Sequence, residues 1–366
     1  MGAPKDYACP ACVRRAWLLE TLSARLAYRA CEPERLLRAL ALGDKELIEG
    51  IGGRRKEELL ERHAQFERNQ LAPAEGIQRI CRHDPRYPIA LQSADDAPRM
   101  LHVAGGIERM HALLAQPTVA IVGTRRASDY GMEVAYGLAR GLAASGITVV
   151  SGLAEGIAAA AHQGALQTSA RTVTVMAGGV DVASPASWRD LHRRVAAEGC
   201  ALAELPCGAV ARGWCHIARA RIVAALARIV IVVEAHEHPA ELLHASLAAA
   251  LGTAVAAVPG RVSAPAARGP HQLLRNGAVL VRDAQDVLDA LYGVGVRRST
   301  VSRPAQEGHL RAVLEQVGSG NDTVAKLTAG EALEGAPAHE VLVALAELEL
   351  GGAVARGDGG RYVVCV

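Results

Sequence analysis

The sequence predicts an α/β protein built on a mostly parallel β-sheet. From Pro117 to about Leu291, short runs rich in β-branched residues alternate with stretches of helical periodicity. The runs are apolar throughout, which is typical of strands whose two faces are both covered by helices. Two successive runs, ending near Val122 and Val150, stop abruptly at Gly and small hydroxyl residues and then open a helix. Parallel α/β sheets bind anionic ligands at turns of this kind.

The individual elements of this domain follow from the same alternation. Seven strands are predicted, at residues 118–122, 147–150, 172–176, 200–204, 229–233, 253–258 and 278–281. Among the helices predicted between them are Tyr130–Ser145, Gly156–Leu166, Trp188–Ala197 and Ala240–Leu251. We expect the domain that contains them to cover residues 73–293.

A helical domain is expected before the sheet, at residues 1–72. Apolar residues recur at helical spacing from residue 14 to residue 66. Within this segment, K-E-L-I-E-G-I-G-G-R-R-K-E-E-L-L places I-G-G between two short amphipathic helices. The arrangement resembles a helix-hairpin-helix element, whose glycine turn can face a DNA backbone phosphate. A plain helix cap followed by a solvated helix explains it equally well.

After a polar, basic linker at residues 294–307, the last domain, residues 308–366, resembles a winged helix. Three helical segments precede A-V-A-R-G-D-G-G-R-Y-V-V, which has the pattern of a wing. The third helix would enter a DNA groove, yet it carries Glu340, Glu347 and Glu349 and no Lys or Arg. Since phosphate contact needs positive charge, we interpret this domain as a protein-contact or packing module. DNA binding through the basic wing is the alternative.

The composition and net charge of the chain limit the classes of function that it can have. The chain has 366 residues and a formal net charge of +2, so any polyanion site must be local. No apolar run reaches the roughly 18 residues that cross a bilayer, and the N-terminus lacks the pattern of a secretory signal. We therefore expect a cytoplasmic protein without membrane contact. The eight cysteines are expected to be reduced thiols rather than a disulfide framework.

The two strand-ending turns supply the candidate site. The first follows T-V-A-I-V and contains Gly123, Thr124 and Arg125, and the second, which ends the next strand, contains Ser151 and Gly152. The carboxyl ends of neighbouring parallel strands meet at one edge of the sheet, so both turns are expected to line one crevice. Turn amides and a hydroxyl would hold a phosphate there, while the arginine supplies charge.

Two enzyme classes bind nucleotides at similar turns. V-G-T-R-R-A lacks the G-x-G-x-x-G of dinucleotide-binding proteins, and no acidic residue ends the second strand to hold a ribose. A-G-G-V-D lacks the Gly-Thr and the following Glu of the P-G-G-x-G-T-x-x-E signature of nucleoside-monophosphate phosphoribohydrolases. We therefore expect no enzyme activity, no catalytic residue and no cofactor. A phosphoribohydrolase-like, nucleotide-binding enzyme is the alternative.

Four motifs together resemble one known family. I-V-G-T-R-R-A-S-D-Y-G, S-G-L-A-E-G-I-A-A-A-A-H-Q-G-A-L, E-A-H-E-H and A-V-P-G-R closely resemble the DprA (Smf) family, over about residues 75 to 290. The resemblance implies an extended Rossmann-like domain. It also implies a protein that binds single-stranded DNA during transformation and hands it to the RecA recombinase. It assigns DNA binding to both turns, and we further expect a homodimer.

A basic element adds to this resemblance. W-C-H-I-A-R-A-R-I-V-A-A-L is similar to the family's W-x-F-P-x-R-N-R-I-I-A-G-L and adds Arg219 and Arg221 to the DNA-binding set. Residues two positions apart point about 200° away from each other on an α-helix. Both arginines can reach one DNA strand if they lie at a helix start or in a loop. A surface ion pair is the alternative role for either of them.

The chain departs from the family at several positions. Glu155 and Ala158 replace a cation and an acid in the second turn, Ser184 stands where an aromatic residue is expected, and Ala220 replaces an asparagine. A carboxylate near a phosphate repels it, so we expect weaker single-strand binding than in a typical member. An adaptor that keeps the scaffold and has lost DNA binding is a further alternative.

Cys9-Pro-Ala-Cys12 is a C-x₂-C motif near the start of the sequence. A structural zinc site needs four ligands, which Cys31 together with Cys81 or His83 would complete. No second C-x-x-C stands at a finger-like spacing. Free thiols are therefore the expected state, and we predict no metal site.

Overall fold

The computed structural model describes residues 6–29, 32–67, 70–92, 94–183, 186–299, 308–329, 338–357 and 360–364. The chain forms two compact units, Met1–Thr300 and Val301–Val366. Residues 300–307 of the expected linker lie outside the described part. None of the described helices is both long and apolar enough to cross a membrane.

The first unit contains a large sheet flanked by helices. Its strands are β1 (Asp6–Tyr7), β2 (Ile77–Cys81), β3 (Met100–Ala104), β4 (Thr118–Val122), β5 (Thr148–Gly152), β6 (Thr172–Met176), β7 (Cys200–Ala203), β8 (Ile229–Val232), β9 (Ala254–Ala257) and β10 (Val279–Leu280). Its helices are α1 (Pro10–Thr21), α2 (Ser23–Arg29), α3 (Pro33–Ala41), α4 (Asp44–Ile51), α5 (Lys56–Ala64), α6 (Ile89–Gln92), α7 (Ile107–Leu114), α8 (Asp129–Ala144), α9 (Ile157–Leu166), α10 (Arg189–Glu198), α11 (Gly213–Leu226), α12 (Leu243–Ala250), α13 (Arg268–Arg275) and α14 (Ala284–Tyr292).

The sheet is mostly parallel, which confirms the predicted α/β class. Its strand order is β1-β2-β3-β7-β6-β5-β4-β8-β9-β10. The pairs β2–β3 and β3–β7 are antiparallel, and the other neighbours run parallel. The seven predicted strands are present, with ends shifted by at most two residues. Because β4 lies between β5 and β8, the winding of the chain reverses beside it, and ligands of open α/β sheets bind at such a reversal.

Strand β4 illustrates how the sequence pattern produces this fold. Val119 and Ile121 pack on one side of the sheet with α8, α9 and α14, whereas Ala120 and Val122 pack on the other side with α11 and α12. All four side chains are buried. Successive side chains of a strand point to opposite faces, so an uninterrupted apolar run gives an apolar layer to each face.

Helices α1 to α5 share a hydrophobic core with α11. Trp214 of α11 is fully buried among leucines of α1 and α2, and its Nε1 donates a hydrogen bond to Ser23 Oγ at 2.9 Å. In the glycine turn between α4 and α5, the Gly52 carbonyl accepts a hydrogen bond from the Arg25 guanidinium. A helix-hairpin-helix element and a separate domain that ends at residue 72 both stay predictions.

The described residues of the second unit form three helices followed by a two-stranded antiparallel sheet. These elements are α15 (Gly308–Gly318), α16 (Val324–Ala329), α17 (Ala338–Leu350), β11 (Val354–Arg356) and β12 (Tyr362–Val364). Val313, Leu345 and Tyr362 are buried in its core. Glu340 and Glu347 of α17 are exposed. The winged-helix assignment and the protein-contact role of this unit stay predictions.

His162, on α9, is a structural histidine of the first unit. It is fully buried, with Nδ1 at 2.7 Å from Thr172 Oγ1 and Nε2 at 3.2 Å from the Gly152 carbonyl oxygen. Because a carbonyl can only accept, the proton of the neutral ring lies on Nε2, and Nδ1 accepts from the Thr172 hydroxyl. Burial lowers the pKa of this imidazole to about 4.

The pH dependence of stability follows from this buried imidazole. The pKa of His162 is about 4 in the folded chain and about 6.5 in the unfolded chain, so the unfolded state binds the proton first. The free energy of unfolding is therefore expected to fall as the pH drops from about 6.5 towards 4, by up to about 1.4 kcal/mol per pH unit for this residue. Urea unfolding between pH 7 and pH 5 tests this slope. His162→Gln should reduce this slope by the share of one histidine, whereas His111→Gln, at an exposed position of α7, should leave the slope unchanged.

Candidate functional site

The first unit has a cleft of about 590 Å³ at the carboxyl ends of β4 and β5. The starts of α9 and α11 and the segment 236–244 after β8 bound it. It therefore lies where the winding of the sheet reverses. Six of the seven predicted site residues line this cleft: Gly123, Thr124, Arg125, Ser151, Gly152 and Arg219.

The first turn is closely packed by its own neighbours. A Cβ at Gly123 would lie 2.6 Å from the Glu234 carbonyl oxygen and 2.7 Å from Ile157 Cγ1, so only glycine fits. The Thr124 N–H donates to the Glu234 carbonyl at 2.7 Å, and Thr124 Oγ1 accepts from the Arg126 N–H at 3.2 Å. A backbone carbonyl thus already occupies the Thr124 N–H, while the predicted role of Thr124 in ligand binding stays a prediction.

The N-terminus of α8, where a Rossmann-type fold seats a phosphate, holds the carboxylate of Glu234. Its Oε2 accepts from the Ser128 N–H at 2.8 Å and its Oε1 accepts from the Ser128 hydroxyl at 2.5 Å. A Cβ at Gly131 would lie 2.3 Å from Glu234 Oε2, so the helix itself makes room for this side chain. An internal anion thus takes the position that a nucleotide pyrophosphate would need.

The second turn packs against other parts of the protein, and its Ser151 hydroxyl is not a free donor for a phosphate. Ser151 is buried and its hydroxyl donates to the Ile121 carbonyl at 2.7 Å, so its proton is committed to β4. A Cβ at Gly152 would lie 2.6 Å from Arg219 Cζ. The Arg219 guanidinium thus lies directly on this backbone, and any larger residue at position 152 would displace it. Both residues line the cleft, and their role in DNA binding stays a prediction.

Arg219 is the most unusual side chain of the cleft. It lies in the middle of α11, is 9% exposed, and donates from Nη1 to the Leu153 carbonyl at 3.4 Å. Its Nε is buried without a hydrogen-bond partner. Within the described residues, no carboxylate lies within ion-pair distance of it. Burial, with a smaller contribution from Arg125, lowers its pKa to about 10, so the group stays cationic at neutral pH.

Arg221 does not reach the cleft. It lies two residues further along α11, buried on a different face, and its guanidinium forms a bidentate ion pair with Glu204, at 3.0 Å and 2.7 Å. Its Nε also donates to the Asp96 carbonyl at 2.8 Å. The condition for joint DNA contact, a helix start or a loop, is not met because both arginines are in the helix interior. The ion-pair alternative describes Arg221, although the pair is buried rather than at the surface.

The remaining charged side chains make the cleft positive. Arg125 and Arg126 line it, and both are exposed. Among its described lining residues the carboxylate is that of Glu241, which lies 3.1 Å from His236 Nδ1 and accepts the His236 N–H at 2.9 Å. That contact occupies the one acidic group, so the three arginines face the cleft largely uncompensated.

Two histidines of the cleft were not among the predicted site residues. Burial, Arg219 and Arg125 together lower the pKa of His216 to about 4, and burial and Arg219 lower that of His244 to about 3. Both rings are therefore neutral at physiological pH and present aromatic faces and single N–H donors. A signal for His216 existed in the sequence, since it stands one helical turn before Arg219.

Residues 78–292, more than half of the sequence, match the model of the family described as DNA recombination-mediator protein A. The chain belongs to this family. The resemblance drawn from the sequence motifs is confirmed.

Relatives within the recombination-mediator family bear this out. A Mycobacterium tuberculosis protein that carries the name DNA processing protein DprA is 40% identical over 252 residues, 67% of this chain. The chain spans 64% of the length of that relative. The structure of DNA processing protein A from Streptococcus pneumoniae superposes with a TM-score of 0.61 at 29% identity, over 76% of this chain and 95% of that one.

A second solved family member comes from Helicobacter pylori. It superposes with a TM-score of 0.51 at 29% identity, over 56% of this chain and 92% of that chain. The study that describes it concerns the single-stranded DNA binding mode of that protein. These two superpositions support the mixed α/β fold of the recombination-mediator family for this chain.

The departures from the family pattern fall at different places in the structure. Ala158 and Ala220 line the cleft, which leaves it open beside Arg219. Glu155 is exposed and is not among the residues that line the cleft. Its neighbour Ala154 does line the cleft, and the expected repulsion between this carboxylate and a phosphate stays a prediction. Ser184 lies outside the described residues.

Proposed function

We propose that this chain binds single-stranded DNA in the cleft as a recombination mediator and performs no catalytic turnover. The observation that carries the proposal is Arg219, a buried guanidinium that faces the cleft with no carboxylate partner among the described residues. Burying an unpaired cation is costly. An anionic ligand that reaches this group removes the cost, and a phosphate diester is an anion of the right kind.

The neighbouring side chains support a polymer ligand. Arg125 and Arg126 are exposed at the mouth of the cleft, and Arg219 lies at its base, so successive phosphates of one strand can meet successive guanidinium groups. The neutral rings of His216 and His244 are suited to stacking on unpaired bases. A recessed cation is reached more readily by a flexible single strand than by a duplex, whose phosphates lie on a stiff helix.

Free nucleotides are poorer candidates. Glu234 fills the N-terminus of α8, and the enzyme classes considered above place a phosphate at such a helix end. The same contact argues against the phosphoribohydrolase-like alternative. The adaptor alternative, in which the chain does not bind DNA, gives the unpaired Arg219 no function. A buried apolar side chain would be more stable at this position.

The decisive measurement is salt-dependent binding of a fluorescent oligo-dT. Arg125→Ala is expected to weaken binding about tenfold, the loss of one charge-assisted hydrogen bond. It should also reduce the slope of log K against log salt by about 0.7, the value for one phosphate contact on single strands. Arg193→Ala, at an exposed site of α10, is the matched control and should change neither quantity.

Other results would select the alternatives. Equal affinity for duplex and single strand would reject the proposed preference. Tight binding and hydrolysis of mononucleotides would favour the enzyme. Absence of any nucleic-acid binding, with retained capture of RecA, would leave the adaptor.

We further propose that the chain transfers the bound strand to RecA, in keeping with the family description as a recombination mediator, and that it self-associates as a homodimer. The acidic, exposed surface of α17 is our candidate for a protein contact. Light scattering of the full chain tests the dimer. RecA filament formation on oligo-dT covered by single-strand binding protein tests the transfer, with Arg125→Ala expected to reduce the stimulation.

A further inference from the structure

Four metal-binding side chains from two distant segments meet at the edge of the first unit. Cys9 immediately precedes α1, and Cys12 lies in the first turn of that helix. Cys81 is the last residue of β2, and His83 stands in the turn that follows. Their four donor atoms all lie within 4.8 Å of one another. Cys31, considered with them from the sequence, lies outside the described residues.

The distances within this cluster have the size that one shared metal ion requires. His83 Nδ1 lies 3.4 Å from Cys9 Sγ, 3.6 Å from Cys12 Sγ and 3.7 Å from Cys81 Sγ. In a tetrahedral zinc site with Zn–S bonds of about 2.3 Å and Zn–N bonds of about 2.0 Å, sulfur and nitrogen ligands stand about 3.5–3.6 Å apart. One nitrogen thus faces three sulfur atoms at the edge length of a coordination tetrahedron.

Backbone groups around the cluster point their positive ends towards the sulfur atoms. The Cys9 N–H points at Cys81 Sγ at 3.4 Å. Cys9 is the N-cap of α1, so the positive end of that helix lies beside the sulfur atoms. Cys12 and Cys81 are buried, with 2% and 1% exposure, and His83 closes the cluster from the exposed side.

We propose that Cys9, Cys12, Cys81 and His83 form a structural zinc site. Three thiolates and one imidazole complete a closed tetrahedral set, the arrangement of structural rather than catalytic zinc. A redox-active C-x-x-C pair is a poorer explanation, since it needs an accessible sulfur and gains nothing from a third cysteine and a histidine at the same point. The prediction of free thiols and no metal site is thereby revised.

The site would fasten the start of the described chain to the sheet. The β1–β2 pairing comprises only Asp6 with Arg79 and Tyr7 with Ile80. An ion pair between Asp6 and Arg79 adds to it. So short a strand at a sheet edge has few hydrogen bonds of its own, whereas a metal ion links residues before α1 to the end of β2 directly. This inference is independent of the proposed DNA binding.

The test begins with the full chain purified without added metal or affinity tags that bind metal. Elemental analysis is expected to find about one Zn²⁺ per chain. Replacement of the metal by Co²⁺ should give the visible absorption of a tetrahedral site and the near-ultraviolet bands of thiolate ligation. This measurement needs no substitution and therefore does not depend on whether variants fold.

Variants then assign the ligands. His83→Ala is expected to lose most of the zinc, whereas His83→Cys, which completes a four-thiolate set, should retain it. Cys207→Ser, at a half-buried cysteine outside the cluster, is the control and should keep the full metal content. Chelation of the zinc should lower the melting temperature of the wild type and leave that of His83→Ala unchanged.

Three results would overturn the proposal. The first is zinc content far below one per chain that the substitutions do not alter. The second is a Co²⁺ spectrum without thiolate bands. The third is a Cys9–Cys12 disulfide found by mass spectrometry in the freshly purified chain.

Discussion

Arg219→Met is expected to make the free protein more stable while removing its affinity for single-stranded DNA. The guanidinium is buried without an ionic partner among the described residues, and a flexible apolar side chain can fill the same space above Gly152. We expect the free energy of unfolding to rise by about 1–3 kcal/mol. Binding of oligo-dT should weaken by more than about tenfold, because a charge-assisted hydrogen bond contributes about 1.5–3 kcal/mol.

Arg221→Met is the matched comparison, two residues away on the same helix. Here the substitution leaves the Glu204 carboxylate buried without its bidentate partner. Breaking a buried pair in this way costs about 3–5 kcal/mol, so the free energy of unfolding should fall. A second change, Glu204→Gln, should recover part of the loss. Urea unfolding of the variants, with oligo-dT anisotropy of those that fold, measures both effects.

The comparison separates a ligand-binding arginine from a structural one. Destabilisation of similar size in both variants would mean that Arg219 supports the fold. Higher stability of Arg219→Met with unchanged DNA affinity would place the DNA outside the cleft.

The second large effect is expected for Glu234→Ala, on both stability and phosphate binding. The carboxylate accepts from both the N–H and the hydroxyl of Ser128 at the start of α8. Its removal takes a charged acceptor from both donors of Ser128, which is exposed, and we expect the free energy of unfolding to fall by about 1–2 kcal/mol. The vacated helix N-terminus should then bind inorganic phosphate, so phosphate should raise the melting temperature of the variant more than that of the wild type.

Glu241→Ala is the control for this experiment. It removes a carboxylate that lines the cleft and contacts only His236 in its loop. Its stability should change little, and phosphate should not act on it differently from the wild type. A Glu234→Ala variant that stays insensitive to phosphate would mean that the helix end is closed by more than this side chain.

The sequence predicted the fold well because the fold depends on local patterns. Uninterrupted apolar runs such as 118–122 and 172–176 can be buried on both faces only in a sheet that has helices packed on each of its two sides. Strands β1, β2 and β3 were not predicted: β1 has only two residues, and β2 and β3 precede Pro117, where the regular alternation of strands and helices begins. The N-terminal and C-terminal domain types rest on the sequence alone.

The candidate site was predicted in position and only partly in chemistry. Gly123 and Gly152 mark the correct strand ends, but their roles depend on Glu234 and Arg219, which the chain brings there from far away. The different roles of Arg219 and Arg221 could be predicted only with the knowledge that both residues lie in the interior of α11. The cluster around Cys9 and Cys81 likewise depends on strand pairing, which spacing in the sequence does not reveal.

The carboxylate of Glu234 has a consequence for selectivity in the cell. In the folded chain this carboxylate occupies the helix N-terminus at which nucleotide-binding proteins of the same architecture bind a phosphate. A mononucleotide would therefore find this phosphate position already occupied by a carboxylate. Under the proposed function, an internal contact of the fold sets the discrimination against mononucleotides, and the cleft needs only to recognise the DNA strand.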